Sequence, residues 1–204
     1  MKLFRKRMCQ FIETIRIQDG ELMNLLYHQK RMERTLSYLG CEWSCVLIDV
    51  LHDRPHGDGV FKVRVVYDET GVKEIEYLPY KVRSIRTLKL VKCDNIDYTF
   101  KSTDRSRLIE LSQLKGDADE VIIVKHGLLT DTSYSNIALF DGVKWYTPRL
   151  PLLMGTMRQS LIDSGVLIEK DITSEDFSHY QKVSLINAMM PLGVCECDVR
   201  NCCK

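Results

Sequence analysis

An acid, a glycine-led helix start and a lysine are the residues of this 204-residue chain whose order could do chemistry. Asp131 stands in a turn of small polar residues, followed by Thr132 and Ser133, ahead of a strand expected at Asn136–Phe140. Gly155-Thr156-Met157-Arg158, with Thr156 twenty-five residues beyond Asp131, reads as the opening of a helix. Backbone N–H groups at such a start lie at the positive end of the helix dipole and can seat a phosphate. An acid and a phosphate seat in this order suit a ligand with a basic nitrogen at one end and a phosphate at the other. Pyridoxal phosphate is such a ligand, and it also requires a lysine. Lys101, thirty residues before the acid, closes an extended run, YTFK, with Asp104 able to cap a helix beginning at Arg105. Burial near apolar groups would lower the pKa of that lysine toward the neutral amine that condenses with an aldehyde. A plain exposed charge is the competing reading.

These groups need elements to hold them. Met8 to Ile17 alternates and is rich in β-formers, so a strand is expected there, closed by the turn Gln18-Asp19-Gly20. Leu22, Leu25, Leu26, Leu36 and Leu39 recur near helical spacing, and Gly40 stops that helix. His28 and Arg31 lie three apart on it and therefore share a face. Arg31 reads equally as a solvated helix charge, and His28 as a structural histidine. A second helix is expected from about Glu42 to Leu51, then a hairpin of Val60–Tyr67 and Val72–Tyr80. Extended runs at Ile85–Val91 and Ile96–Phe100 follow, and near Val91–Asp97 the pattern changes. The expected division is a smaller α+β domain at 1–93 and a larger domain at 94–204, in the α/β class. In the second domain Glu120–Lys125, Val166–Ile172 and Lys182–Asn187 read as strands, with a short helix at Ser174–His179. Asp141-Gly142 makes a tight turn between Asn136–Phe140 and Val143–Tyr146, and Thr147-Pro148 is expected to break the sheet. Asn187-Ala188-Met189-Met190-Pro191 forms a strand end and turn whose backbone could complete a ligand pocket.

A net charge of +1 with 28% charged residues gives no reason to expect nucleic acid or an anionic membrane as partner. The basic start, MKLFRKRMCQFIETI, is interrupted by Glu13 and Arg16 before it reaches signal-peptide length, and no run of eighteen apolar residues exists. A cytoplasmic protein is expected. Its eight cysteines form no CxxC pair, so reduced thiols, some buried and some in a loose tail at Cys195–Cys203, are the reading preferred over a metal site.

Six pieces in order, FIETIRIQDG (11–20), HQKR (28–31), KSTDR (101–105), LTDTSYSNIALFDG (129–142), TP–LLMGTMR (147–158) and INAMMP (186–191), resemble the class IV aminotransferases. That family includes branched-chain and D-amino-acid aminotransferases and aminodeoxychorismate lyase. The resemblance implies the two-domain fold (fold type IV) of these pyridoxal 5'-phosphate enzymes, and a homodimer. It implies that Lys101 links covalently to the cofactor and that Arg31 binds its phosphate. Thr156 and Met157 would donate backbone N–H groups to the same phosphate, with Asn187 and Ala188 near it. Asp131 would pair with the pyridine nitrogen, where the family usually has glutamate, one methylene longer. The chain is short for the family, compressed between Arg31 and Lys101, so substrate choice transfers least; Arg64, Arg83 and Arg86 are candidates for a substrate carboxylate. The expected reaction is transfer of an amino group between an amino acid and a 2-oxo acid. The alternatives are an elimination like that of aminodeoxychorismate lyase, releasing pyruvate, and a non-catalytic relative acting as an interaction protein.

Overall fold

The computed structural model describes residues 9–202 apart from Glu42 and His56. The chain divides into two compact units, one of residues 1–80 with 100–104 and one of residues 81–99 with 105–204. A junction after Cys93 was expected; the second unit instead takes everything from Lys81 to Thr99, because the strand that follows pairs within its sheet.

The first unit is a four-stranded antiparallel sheet carrying a helix. Strand β1 (Phe11–Gln18) buries Phe11, Glu13, Ile15 and Ile17 along one face, the period of two that the sequence shows. Asp19 and Gly20 have φ of +50° and +84°, the left-handed pair that a two-residue hairpin requires, and β2 (Glu21–Leu22) follows. Helix α1 (Leu25–Tyr38) buries Met32 and Leu36 in a core with Ile15, Ile17, Val63 and Val65, and ends at Gly40 with φ +67°. The expected second helix shrinks to α2 (Leu47–Val50). Gln29 explains this: its Nε2 donates to the Cys45 carbonyl at 2.7 Å and its Oε1 accepts from Leu47 N at 2.8 Å. A side chain thus satisfies backbone groups that a longer helix would have used, and Val46 stays extended. Strands β3 (Val60–Asp68) and β4 (Gly71–Pro79) form the expected hairpin, giving the order β2-β1-β3-β4.

Lys101 belongs to this unit. The expected strand at Ile96–Phe100 is absent, because Asp97 Oδ1 accepts from Thr99 N and Oγ1 at 3.0 and 2.7 Å and curls the segment into a turn. Instead the Lys101 carbonyl accepts from Ile12 N at 2.9 Å, and Thr103 N donates to Gln10 O at 2.9 Å. The lysine is therefore held by pairing with the start of β1 rather than by standing at a strand end.

In the second unit β5 (Leu88–Lys92) passes through α3 (Ser106–Gln113) to the parallel β6 (Glu120–Lys125). Arg105, not Asp104, occupies the N-cap of α3, and no side chain caps it. An antiparallel meander follows: β7 (Leu128–Thr132), β8 (Asn136–Phe140) and β9 (Trp145–Pro148). Asp131 lies within β7, opposite Asn136, rather than in a turn. Thr147-Pro148 does not break the sheet; both lie in β9, which runs parallel to β10 (Leu167–Lys170) after α4 (Thr156–Asp163). Proline is tolerated there as the last residue of its strand. A 3-10 turn at Asp176–His179 precedes β11 (Lys182–Ile186), which pairs with β8 and with β12 (Glu196–Asp198). The C-terminal cysteines are not all in a loose tail. Cys195 immediately precedes β12 and Cys197 lies within it; both are buried, and their thiols contact the Arg83 and Ile85 carbonyls, while Cys203 lies outside the described residues. Among the described residues no cluster of His, Cys, Asp and Glu could hold a metal, and no helix is long and apolar enough to cross a membrane.

Candidate functional site

The first unit assembles a buried set of ionisable groups around Glu13. This glutamate is the one charged residue on the inward face of β1 and has no exposed surface. Arg31 grips it side-on, Nε donating to Oε1 at 2.9 Å and Nη2 to Oε2 at 2.6 Å. His28, one helical turn away on the same face of α1, places Nδ1 2.6 Å from Oε2 and is also fully buried. Burial alone would raise the pKa of Glu13, but the charge of Arg31 and hydrogen bonds from His28 and Arg31 outweigh it and hold the acid at about 2. Burial lowers the pKa of His28; the carboxylate of Glu13 opposes this, and the charges of Arg31 and Lys101 add to it. Glu13 is therefore ionised and His28 neutral near pH 7, and Lys101 lies close enough for its charge to be felt by the imidazole.

Arg31 is thus no solvated helix charge: 7% of it is exposed, and Glu13 fixes the plane of its guanidinium. The pair occupies the Nε–Nη2 edge, so the plane of the remaining donors is set as well. Glu13 escaped the sequence reading, although a signal for it exists. In FIETIRI a carboxylate falls on the face otherwise filled by Phe11, Ile15 and Ile17, where a charge requires a partner.

The second unit builds a different acid. Asp131 is 5% exposed; its Oδ1 accepts from Asn136 Nδ2 at 2.8 Å and its Oδ2 from Leu153 N at 2.9 Å. Burial pushes its pKa up to about 7, against the lowering effect of Asn136, the Leu153 and Leu152 amides and the charge of Arg158. Asn136 also donates to the Leu153 carbonyl at 2.8 Å, so one amide locks the strand, the acid and the loop before α4 together. Gly155 must be glycine for that reason rather than for its backbone angles: a Cβ there would sit 1.8 Å from Asn136 Oδ1. Gly155 begins α4 without a side-chain cap, and Thr156 and Met157, both buried, supply its first two amides.

Asn187 closes its own turn, Oδ1 accepting from Met189 N and Met190 N at 2.8 and 3.0 Å, and its Nδ2 donates to the Tyr134 carbonyl at 3.3 Å. Ala188 is half-buried in that turn. Of the candidate carboxylate binders, Arg64 is ion-paired with Glu76, while Arg83 and Arg86 are exposed. Arg105 had not been singled out from sequence; its Nη2 donates to the Ser133 carbonyl at 2.9 Å, two residues past the acid.

The residues fit a pyridoxal phosphate chemically. A seated arginine and a lysine lie in one unit, and a buried acid beside an uncapped helix start lies in the other. The model of the amino-transferase class IV family matches residues 72–197. A Haemophilus influenzae protein named only as uncharacterized is 36% identical over 188 residues, 89% of this chain and 98% of its own. A Schizosaccharomyces pombe protein named "Putative aminodeoxychorismate lyase" is 26% identical over 84% of this chain and 83% of its own. Among solved structures, a "putative 4-amino-4-deoxychorismate lyase" from Haemophilus somnus is 33% identical over 91% of this chain and 98% of that one, with a TM-score of 0.85. The Escherichia coli branched-chain amino acid aminotransferase shares 14% identity, 97% of this chain and 77% of that one, with a TM-score of 0.76, a likeness of fold.

Proposed function

This chain belongs to the amino-transferase class IV family of pyridoxal-phosphate enzymes, and we propose that it removes a proton from the α-carbon of a primary-amine substrate and then eliminates a leaving group. The observation that carries the first step is Asp131, a buried acid with both oxygens oriented by fixed donors. Such an acid is placed to hold a proton on a pyridine nitrogen. When bound, the cofactor supplies an electron sink for the pair left at the α-carbon. Arg31, its plane set by Glu13, and the first amides of α4 would hold the phosphate. Lys101 Nζ would be the amine that holds the cofactor and the base that takes the α-proton.

Elimination is favoured by two of the relatives above, at 26% and 33% identity, whose names read "Putative aminodeoxychorismate lyase" and "putative 4-amino-4-deoxychorismate lyase". In that reaction the electron pair of the breaking C–H bond forms a new double bond as the C–O bond to the pyruvate moiety breaks. Amino transfer to a 2-oxo acid is the second reading, supported by the likeness to aminotransferase folds. The test supplies the purified, cofactor-loaded protein with aminodeoxychorismate and follows pyruvate through lactate dehydrogenase. Release of pyruvate over many turnovers supports elimination. No pyruvate, together with accumulation of pyridoxamine phosphate from a panel of amino acids, replaces it with transfer. We also propose that the working assembly is a homodimer, which light scattering on the eluting protein would test.

A further inference from the structure

Arg158 runs against two rules at once. It is completely buried, and it lies in the first turn of α4, where the helix dipole disfavours a cation and favours an acid. Its Nε and Nη1 are buried with no hydrogen-bond partner. A position kept for stability alone would be better filled by an apolar side chain of similar length. What the arginine does make is specific: one nitrogen, Nη2, donates to the Pro148 carbonyl at 2.9 Å and to Glu169 Oε1 at 2.6 Å. Those acceptors belong to the two strands that α4 connects. Pro148 ends β9, Glu169 lies in β10, and the strands run parallel with Pro148 opposite Lys170.

Helical side chains lean toward the helix N-terminus, so from the third position of α4 the guanidinium reaches back toward the helix start and onto the strand pair. Thr156 and Met157, the two residues before it, supply the first amides of the same turn. Gly155, at the N-cap, has no side chain to fix that turn instead. Asn136 holds the loop ahead of the helix through the Leu153 carbonyl at 2.8 Å, and Arg158 holds the turn itself. We propose that Arg158 is a positioning residue for the phosphate seat: by tying the first turn of α4 to β9 and β10, it sets where the Thr156 and Met157 amides point. The inference rests on the reading of those amides as the seat. The coupling runs through covalent adjacency in one helical turn and two direct hydrogen bonds.

The test compares the affinity of the cofactor-free protein for pyridoxal 5'-phosphate with that for pyridoxal, which lacks the phosphate, by absorbance titration. The wild type should prefer the phosphorylated ligand. Arg158→Met should reduce that preference about tenfold, the worth of one amide hydrogen bond to a charged acceptor, and leave pyridoxal affinity nearly unchanged. Arg158→Lys should recover part of it, because both acceptors meet a single nitrogen and an ammonium can donate to both. An unchanged preference in folded Arg158→Met overturns the proposal. So does an equal loss of affinity for both ligands, which would leave the arginine a purely structural role. If that variant fails to fold, Glu169→Ala decides, at a position 38% exposed: it removes one of the two ties and should lower the preference by a smaller factor. An unchanged or increased preference in Glu169→Ala overturns the proposal. A wild type that binds pyridoxal phosphate no better than pyridoxal removes the seat itself, and the functional reading falls with it.

Discussion

Replacing Glu13 with glutamine should destabilise the first unit at neutral pH and do so much less in acid. Glu13 has no exposed surface and is held at about 2 against an ordinary 4.5, a gap of about 3 kcal/mol in favour of the folded, ionised form. A depressed carboxylate stabilises above its ordinary pKa, and that stabilisation is lost as pH falls from about 4.5 toward 2. At pH 7 the amide leaves Arg31 buried without its counter-ion, a change worth about 3–5 kcal/mol. Near pH 2 the wild type has lost its own share, so the difference should shrink to about 1 kcal/mol. His28, whose pKa is also lowered, makes the wild type start to lose stability already below about 6.5, and a point at pH 5 separates that slope. The assay is urea unfolding of the apo protein in a Trp145→Phe background, so that Trp43 in the first unit is the fluorescence reporter. Adding Arg31→Met to Glu13→Gln should recover much of the loss, since no unmatched charge then remains. A difference between Glu13→Gln and wild type that is the same at pH 7, 5 and 2.5 would refute the reasoning, because the acid would then be stabilising by packing alone.

Lys101→Ala should bind cofactor without the visible absorption band of the lysine-linked form, with an unchanged circular dichroism spectrum, because the pairing with β1 uses the Lys101 carbonyl; persistence of the band would remove Lys101 from its role. Arg31→Ala should chiefly weaken cofactor affinity, measured by equilibrium dialysis, whereas Asp131→Asn should keep cofactor and lose most turnover, the missing charge-assisted hydrogen bond being worth about 1.5–3 kcal/mol. Equal effects of both on affinity and turnover would undo that division. Gly155→Ala puts a Cβ 1.8 Å from Asn136 Oδ1, so Asn136 must swing away from Asp131 and the Leu153 carbonyl; a loss of about 1–3 kcal/mol by thermal unfolding is expected, and an unaffected melting temperature would show that Asn136 can yield freely.

Local rules made much of the fold legible. Alternation found β1, the Asp19-Gly20 pair found its hairpin, and Gly155-Thr156 found the start of α4. What failed was set by single side chains reaching across sequence. Gln29 shortened the expected second helix to Leu47–Val50 by bonding to Cys45 and Leu47, and Asp97 turned a β-rich run into a loop. Pro148 stayed in the sheet because a parallel partner, β10, arrives from beyond α4, which no local pattern announces. The candidate residues of the site were nameable one by one, but their supports were not. Glu13 on β1 reaches Arg31 on α1, and Arg158 on α4 reaches Glu169 on β10, so each pair joins two different elements and no periodicity within one element announces it. Only the misplaced charge on an apolar face of β1 gave warning.

The chain buries two acids and treats them oppositely, and the contrast bears on function. Glu13 is matched within its own unit by a full cation and an imidazole, so the ionised group stabilises the fold despite its burial. Asp131 receives neutral donors and a cation at a distance, and its pKa stands at about 7 instead of 3.8. The sign is reversed: the folded state holds a proton that the unfolded chain has released, so stability falls as pH rises from about 3.8 to about 7, by about 4 kcal/mol in all. A fold that needed only stability at this position would do better with an apolar residue of similar size. An acid kept under such strain is one whose ionised form gains most from a cation brought to it, and the protonated ring nitrogen of the proposed cofactor is a cation of the right chemistry. Arg31 is pinned in advance by Glu13 within its own unit, whereas Asp131, in the role proposed for it, would be completed by the cation it binds.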